Sequence, residues 1–172
     1  DKRNEKLNGF VAITVAILAT FLGICNVKDD NVVQAMLAAQ AAAPTVKRVH
    51  QELGGKSANI LLDDVDLEKA VTAGVNSCFG NSGQSCNAPT RMLVPAALHD
   101  QAVQIARRAA LAHQVGAPTD PQTTLGPVIS DRQFRAIQRL IAIGIKEGAQ
   151  LVCGGLDRPD GLKHGYYVKP TI

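Results

Sequence analysis

The sequence predicts an α/β fold with a mostly parallel sheet, preceded by one hydrophobic helix. From residue 46 onward, strand-like runs alternate with helix-like stretches, which is the pattern of parallel strands joined by helical crossovers. The run at residues 58–62 is mostly apolar, as expected of a strand that is buried on both faces. A chain of 172 residues is long enough to form one ordinary domain with a buried core.

The first predicted elements are a helix and two strands. Asn31 is an N-cap candidate for a helix over residues 32–43, which ends before Pro44 because the residue ahead of a proline disfavours the helical conformation. Strands are predicted at residues 46–52 and 58–62.

A second helix is predicted to run to about Cys78. Three acidic residues ahead of it are N-cap candidates and favour the positive end of the helix dipole; they are Asp63, Asp64 and Asp66. Apolar residues at helical spacing predict its buried face; they are Leu67, Val71, Val75 and Cys78.

In the second half of the chain, a strand is predicted at Arg91–Pro95 and a helix over residues 98–115. A proline-rich loop over residues 116–126 follows, and then a helix over residues 131–148, which Ser130 is predicted to cap. Four residues form the predicted buried stripe of that last helix; they are Phe134, Ile137, Ile141 and Ile145. A short strand at 150–153 and an extended piece at 166–170 complete the prediction. His113, near the end of its helix, is interpreted as a solvated histidine.

The N-terminal region contains an uncharged run at residues 10–27. Its 18 residues are near the lower limit for a membrane-spanning helix, which is the preferred interpretation. A buried helix and a secretory signal peptide are the alternatives. The basic residues ahead of the run would weakly place the N-terminus in the cytoplasm; they are Lys2, Arg3 and Lys6.

Composition argues against a nucleic-acid partner and against a zinc site. The net charge is only +3, and the chain has no Trp, two Tyr and four Phe with which bases could stack. Its four cysteines form no Cys-x-x-Cys pair, so free thiols in a reducing compartment are expected. Burial as small apolar residues is predicted for Cys78 and Cys153.

Two short motifs carry the chemistry of the sequence. Cys86 follows a turn rich in Gly, Ser and Asn and precedes a predicted strand, which is a typical position for a nucleophile on a loop. Glu52 lies 34 residues earlier, just ahead of Gly54 and Gly55, where a carboxylate can act as general base for a water molecule. The pair predicts one pocket that holds both groups.

These motifs resemble those of the aldehyde dehydrogenase superfamily. The resemblance is carried by Glu-Leu-Gly-Gly-Lys-Ser at residues 52–57 and by the segment 79–90 around Cys86. It extends through Leu-Gly-Pro-Val-Ile at 125–129 and Gly-Tyr-Tyr-Val-Lys-Pro-Thr at 165–171. It covers a catalytic-domain fragment at residues 37–172.

Residues 1–36 do not resemble this family; they resemble the start of a small bacterial membrane protein of uncharacterised function. A junction between the two parts is predicted within residues 32–39.

The resemblance implies NAD(P)-dependent oxidation of a small-molecule aldehyde to a carboxylic acid. Cys86 would attack the aldehyde and form a thiohemiacetal, hydride transfer to NAD or NADP would leave a thioester, and Glu52 would activate the water that hydrolyses it. The resemblance places the backbone of Leu53 and Gly54 beside the nicotinamide. It also implies a homo-oligomer for full-length members.

Much of the family's cofactor site has no counterpart in this sequence, so the isolated chain is expected to be inactive. The alternative is a membrane-anchored, non-enzymatic relic or interaction module. The catalytic part is expected in the cytoplasm, with membrane contact only if residues 10–27 span a bilayer.

Overall fold

The computed structural model describes residues 10–14, 30–50 and 57–172. Glu52, Leu53 and Gly54 lie outside these ranges, as does most of the apolar run at residues 10–27. The described strands are β1 (Phe10–Thr14), β2 (Ala58–Ile60) and β3 (Arg91–Pro95). The described helices are α1 (Asp30–Ala42), α2 (Leu67–Phe79), α3 (His99–Leu111) and α4 (Asp131–Lys146).

The described strands form one sheet in the order β1-β3-β2. β2 and β3 are parallel, with Ala58 opposite Arg91 and Ile60 opposite Leu93. The backbone N–H of Leu61 continues this pairing by donating to the carbonyl oxygen of Leu93 at 2.9 Å. Helix α2 connects the two parallel strands, which confirms the α/β class predicted from the alternation of strands and helices.

The predicted N-terminal hydrophobic helix is wrong at residues 10–14, because these residues form strand β1. β1 runs antiparallel to β3, with Phe10 opposite Pro95 and Thr14 opposite Arg91. Three of its five residues are β-branched and favour extended backbone. β1 also provides partners for the backbone groups along one side of β3. Among the described residues, no helix has the length and apolar character that a bilayer crossing requires.

Helix α2 provides much of the main core. Asp66 caps it as predicted, since its side chain accepts a hydrogen bond from the backbone N–H of Lys69 at 3.1 Å. The side chains of Val71, Val75 and Cys78 are fully buried, as predicted, and Leu67, the first residue of the predicted face, is partly buried against them. They pack with residues of β3 and α3; these include Met92, Val94, Ala102, Ile105 and Ala106.

Helix α4 forms a second, smaller core. Ser130 caps it as predicted, because its Oγ accepts from the backbone N–H of Gln133 at 3.3 Å. The buried residues of this cluster are Val128, Phe134, Ile137, Ile141 and Val168. Ile145 is 42% exposed, so the predicted apolar stripe ends one turn earlier than expected.

The predicted strand at residues 46–52 is wrong over its described part, residues 46–50. Val46 follows a short 3-10 turn at Ala43–Thr45 and adopts a left-handed backbone with φ 52°. Its side chain is 91% exposed, and residues 47–50 form no strand. The β-branched residues of this segment favoured a strand, but the described structure provides no neighbouring strand to pair with it.

Three other predicted elements are shorter than expected or absent. Strand β2 ends at Ile60 instead of residue 62, and Ile60 and Leu62 are 58% and 57% exposed, so the predicted burial on both faces is wrong. Helix α3 ends at Leu111 because the chain then turns, and the carbonyl oxygen of Gln114 accepts from the backbone N–H of Leu125. Residues 150–153 form no strand. The backbone N–H of Val152 nevertheless donates to the carbonyl oxygen of Ile172 at 2.8 Å.

Candidate functional site

The loop that carries Cys86 begins directly after the last residue of α2. Phe79, the last residue of α2, is fully buried in the main core. The next three backbone positions after Gly80 are left-handed, with φ of 51° at Asn81, 54° at Ser82 and 72° at Gly83. A left-handed backbone costs about 1–2 kcal/mol for a residue other than glycine. The loop therefore needs compensating interactions to hold this shape.

Asn81 and Gln84 supply hydrogen bonds within the loop. The side-chain amide of Asn81 donates to the carbonyl oxygen of Gln84 at 3.2 Å. The carbonyl oxygen of Asn81 accepts two bonds from Gln84, one from its backbone N–H and one from its side-chain Nε2, both at 3.1 Å. These three bonds close the turn that carries the strained backbone.

Two further hydrogen bonds connect the cysteine loop to the segment at residues 126–129. The hydroxyl of Ser82 donates to the carbonyl oxygen of Gly126 at 2.9 Å. The backbone N–H of Ile129 donates to Oε1 of Gln84 at 3.0 Å. In the sequence these two stretches are separate motifs, and in the structure they contact each other.

Cys86 lies at the tip of the next turn. The backbone N–H of Ala88 donates to the carbonyl oxygen of Ser85 at 3.2 Å, which places Cys86 and Asn87 at the two central positions of a four-residue turn. Both central residues are exposed, whereas Ala88 and Thr90 are buried and lead into β3. The predicted nucleophile is thus an exposed thiol on a loop with fixed ends.

The pocket that the sequence predicts between Cys86 and Glu52 involves residues that the structure does not describe. Glu52, Leu53 and Gly54 belong to residues 51–56, so their positions relative to Cys86 stay a prediction. Because Cys86 and Asn87 are both exposed, the described residues leave this face of the loop open. By themselves they do not enclose a nicotinamide ring.

Comparison with protein families identifies the main part of the chain. A family model described as the aldehyde dehydrogenase family matches residues 30–172. The chain belongs to this family. A second model, described as a domain of unknown function (DUF4337), matches residues 7–46. The two matched ranges share residues 30–46.

Individual aldehyde dehydrogenases are similar over the same region. A 3-succinoylsemialdehyde-pyridine dehydrogenase from a Pseudomonas species is 54% identical over 136 residues, which are 79% of this chain and 28% of that protein. The crystal structure of a cysteine-to-alanine variant of aldehyde dehydrogenase C from Pseudomonas syringae, in complex with NAD+ and octanal, is 51% identical. Its TM-score is 0.72, over 80% of this chain and 28% of that one.

A Mycobacterium tuberculosis aldehyde dehydrogenase in complex with NAD+ is 42% identical, with a TM-score of 0.71 over 82% of this chain and 29% of that one. The chain therefore spans under a third of the length of these relatives.

The other described cysteines of this aldehyde dehydrogenase segment differ from Cys86 in exposure. Cys78 is fully buried on α2. Cys153 is half-buried, and its Sγ lies 3.9 Å from the carbonyl oxygen of Pro170. Burial raises the pKa of Cys153, and this effect is opposed by a backbone hydrogen bond from Ile172 and by the charge of Arg107. The two thiols are therefore less accessible than Cys86.

His113 is half-buried against Phe79, the residue ahead of the cysteine loop, so it is not the fully solvated histidine that the sequence predicts. Its ring meets the ring of Phe79 edge-on, with 5.4 Å between the centroids and an angle of 81° between the planes. Nδ1 lies 3.3 Å from Oγ1 of Thr124. Nε2 is buried with no hydrogen-bond partner among the described residues. Burial lowers the pKa of His113, because the charged ring would lose its hydration there.

A surface cavity of about 780 Å³ lies beside α4, away from the cysteine loop. Its walls come from α4 and from residues 156–163. The guanidinium of Arg158 lies 4.5 Å from the centre of the Phe134 ring, and its Nε donates to the carbonyl oxygen of Gly165 at 2.8 Å. No residue of the cysteine loop is among the described residues that line this cavity.

Alkylation with iodoacetamide at neutral pH is expected to modify Cys86 before Cys153 and Cys78. Cys86 is exposed, Cys153 is half-buried with a raised pKa, and Cys78 is fully buried. Peptide mapping by mass spectrometry at successive times measures the order, and Cys86→Ser is the control that removes the first product. Labelling of Cys78 or Cys153 at the rate of Cys86 would contradict the described exposures.

The free energy of unfolding is expected to fall as the pH drops below about 6.5, the ordinary pKa of an unfolded histidine. The unfolded state binds a proton more readily than the folded state does, since burial lowers the folded pKa of His113. Stability therefore rises with pH across this window. The free energy of unfolding can be measured by urea unfolding at several pH values between 5 and 8. It should depend less on pH in His113→Gln than in the exposed-site control His164→Gln. An unchanged pH dependence of the unfolding free energy in His113→Gln would show that His113 does not cause the loss of stability at low pH.

Proposed function

We propose that this chain is a segment of an aldehyde-oxidising dehydrogenase in which Cys86 is the nucleophile. The observation that carries the proposal is an exposed thiol at the tip of a hydrogen-bonded turn, in a chain that belongs to the aldehyde dehydrogenase family. Cysteine suits this role because the thiolate is strongly nucleophilic and the thioester that it forms is reactive toward water. The substrate class is a small-molecule aldehyde.

In the first step the thiolate of Cys86 adds to the aldehyde carbon. A new carbon–sulfur bond forms, and the electron pair of the carbonyl π-bond moves to the oxygen, which takes up a proton to give a thiohemiacetal. The fixed turn at Ser85–Ala88 holds the sulfur at the surface, where an aldehyde can reach it. The backbone N–H of Cys86 is proposed as one donor to the developing oxyanion.

NAD or NADP, when bound, would supply the acceptor for the hydride that leaves the thiohemiacetal carbon. The hydroxyl proton of the thiohemiacetal passes to solvent, the carbonyl double bond forms again, and a thioester on Cys86 remains. We assign Leu53 and Gly54 as backbone neighbours of the nicotinamide. Both follow Glu52 in a glycine-rich turn, where the chain can approach a planar ring closely. The P. syringae and M. tuberculosis enzymes were crystallised with NAD+, which supports this cofactor class.

Glu52 is proposed as the general base that removes a proton from water. The resulting hydroxide attacks the thioester carbon, the carbon–sulfur bond breaks, and the carboxylic acid leaves with Cys86 restored as a thiolate. A carboxylate suits this role because it is ionised at neutral pH and can return the proton to solvent.

We propose that residues 37–172 form the catalytic segment and that residues 1–36 have a separate origin, with the junction within residues 32–39. The match of residues 7–46 to a different family model supports this division. Sequencing of the surrounding gene tests it. An aldehyde dehydrogenase reading frame that continues upstream through residues 1–36 would contradict a separate origin. The alternative of a membrane-anchored relic is not favoured, since its predicted anchor is wrong at residues 10–14.

The isolated chain is expected to form little or no NADH or NADPH from aldehydes. It spans 28% of the Pseudomonas relative, and the described residues leave Cys86 on an open face. Catalysis of this kind depends on precise cofactor placement and electrostatic stabilisation. Absorbance at 340 nm with a panel of aldehydes measures turnover, with Cys86→Ser as control. Turnover that disappears in Cys86→Ser would show that the segment is sufficient.

A single acyl transfer tests the roles of Cys86 and Glu52 without the cofactor. With 4-nitrophenyl acetate, Cys86 is expected to become acetylated, and Glu52→Gln should slow loss of the acetyl group by about 10²–10⁴-fold, the usual contribution of a general base. Intact-protein mass spectrometry follows both steps. Glu147→Gln, a change of an exposed carboxylate at the end of α4, is the matched control. Equal deacylation in the two variants would remove Glu52 from the mechanism.

A further inference from the structure

We propose that Gln84 is a positioning residue for the nucleophile, since it connects the loop that carries Cys86 to the segment at residues 126–129. This inference rests on the proposed role of Cys86. It adds a residue that contacts no substrate and acts through the backbone that leads into the reactive thiol.

Both ends of the Gln84 side-chain amide are engaged. Oε1 accepts from the backbone N–H of Ile129 at 3.0 Å, across 45 residues of sequence. Nε2 donates to the carbonyl oxygen of Asn81 at 3.1 Å, within the loop. One side chain thus bonds simultaneously to the start of its own loop and to a separate segment.

The backbone of Gln84 is held as firmly as its side chain. Its N–H donates to the carbonyl oxygen of Asn81 at 3.1 Å, and its carbonyl oxygen accepts from the side chain of Asn81 at 3.2 Å. Only Ser85 separates this fixed residue from Cys86. Ser85 in turn accepts from the backbone N–H of Ala88. The position of Gln84 therefore determines where the Ser85–Ala88 turn begins, and this turn carries the backbone N–H and the side chain of Cys86.

The chemistry of the amide explains why a glutamine fits this position. A carboxylate could still accept from Ile129 but would place an oxygen, without a proton, against the carbonyl of Asn81. A methionine of similar length would neither accept nor donate a comparable bond. An asparagine would be shorter by one methylene. The residue must therefore offer an acceptor and a donor at the reach of a glutamine.

Loss of these bonds is expected to displace the nucleophile more than to unfold the protein. Gln84 is only half-buried and Ile129 is 78% exposed, so water can replace the lost partners. The main core does not include either side chain. A displacement of about 1 Å at a reacting group can nevertheless lower a rate by about 10²-fold.

Two reactions of Cys86 separate position from simple thiol reactivity. Alkylation by iodoacetamide is a direct displacement that forms no oxyanion. Acetylation by 4-nitrophenyl acetate passes through a tetrahedral oxyanion: the thiolate attacks the ester carbon, the carbon–oxygen bond breaks, and 4-nitrophenolate leaves with the electron pair. Correct placement of the Cys86 N–H matters only for the second reaction.

The experiment compares both rates in the full 172-residue chain and in three variants. In Gln84→Met, the rate at which 4-nitrophenyl acetate acetylates Cys86 is expected to fall about tenfold or more. The rate of alkylation by iodoacetamide is expected to stay within about twofold of that in the unsubstituted chain. Gln84→Glu keeps the acceptor for the N–H of Ile129, so its acetylation rate is expected to lie between those of Gln84→Met and the unsubstituted chain. Gln101→Met, at an exposed glutamine of α3, is the matched control and should change neither rate.

The proposal is overturned if Cys86 is acetylated as fast in Gln84→Met as in the unsubstituted chain. It is also overturned if acetylation and alkylation fall equally in Gln84→Met, the uncharged variant, because an equal fall would show that the reaction through the oxyanion is not affected selectively. Circular dichroism of each variant checks the fold. If Cys86 in the unsubstituted chain is acetylated no faster than Cys153, the proposed function and the role of Gln84 both fail. If it is faster and the Gln84 variants are unaffected, only the positioning role fails.

Discussion

The burial of Phe79 at the end of α2 is the contact on which the geometry of the cysteine loop depends. Its ring is fully buried among core residues and meets the ring of His113 edge-on. Complete burial of a phenylalanine side chain stabilises the folded state by about 1.5–3 kcal/mol. The cysteine loop begins at the next residue. The core therefore determines where the loop starts and in which direction it leaves the helix.

The elements predicted correctly from the sequence are those with complete local signals. Helix α2 has an aspartate cap and an apolar face at helical spacing, and α4 has a serine cap and the same spacing. β3 has the bounds that the sequence predicts, and its short apolar run follows the turn that contains Cys86. For each of these elements, the residues that decide the conformation lie close together in the sequence.

The elements predicted incorrectly depend on partners that are distant in sequence. β1 was predicted as helix because its apolar residues suit either conformation, and only pairing with β3, about 80 residues later, selects the strand. Residues 46–50 have strand-like composition but no strand beside them. His113 looked like a helix-end residue, since nothing local indicates that Phe79 lies against it.

The candidate site was predicted in part for the same reasons. The exposed turn at Cys86 follows from Gly, Ser and Asn in the preceding residues, and composition alone indicates it. The bonds from Ser82 and Gln84 to residues 126–129 join stretches about 45 residues apart, for which no local pattern gives a signal. Pairing of polar side chains with distant backbone groups is the least predictable part of such a site, because any loop offers many donors and acceptors.

The position of β3 between β1 and β2 has a consequence for motion around the thiol. Backbone groups of β3 are bonded on both sides, so its amide hydrogens should be among the slowest to exchange with solvent. The loop before it is anchored by the end of α2 on one side and by this protected strand on the other. Local opening around Cys86 can therefore occur within residues 80–90 while the sheet stays closed.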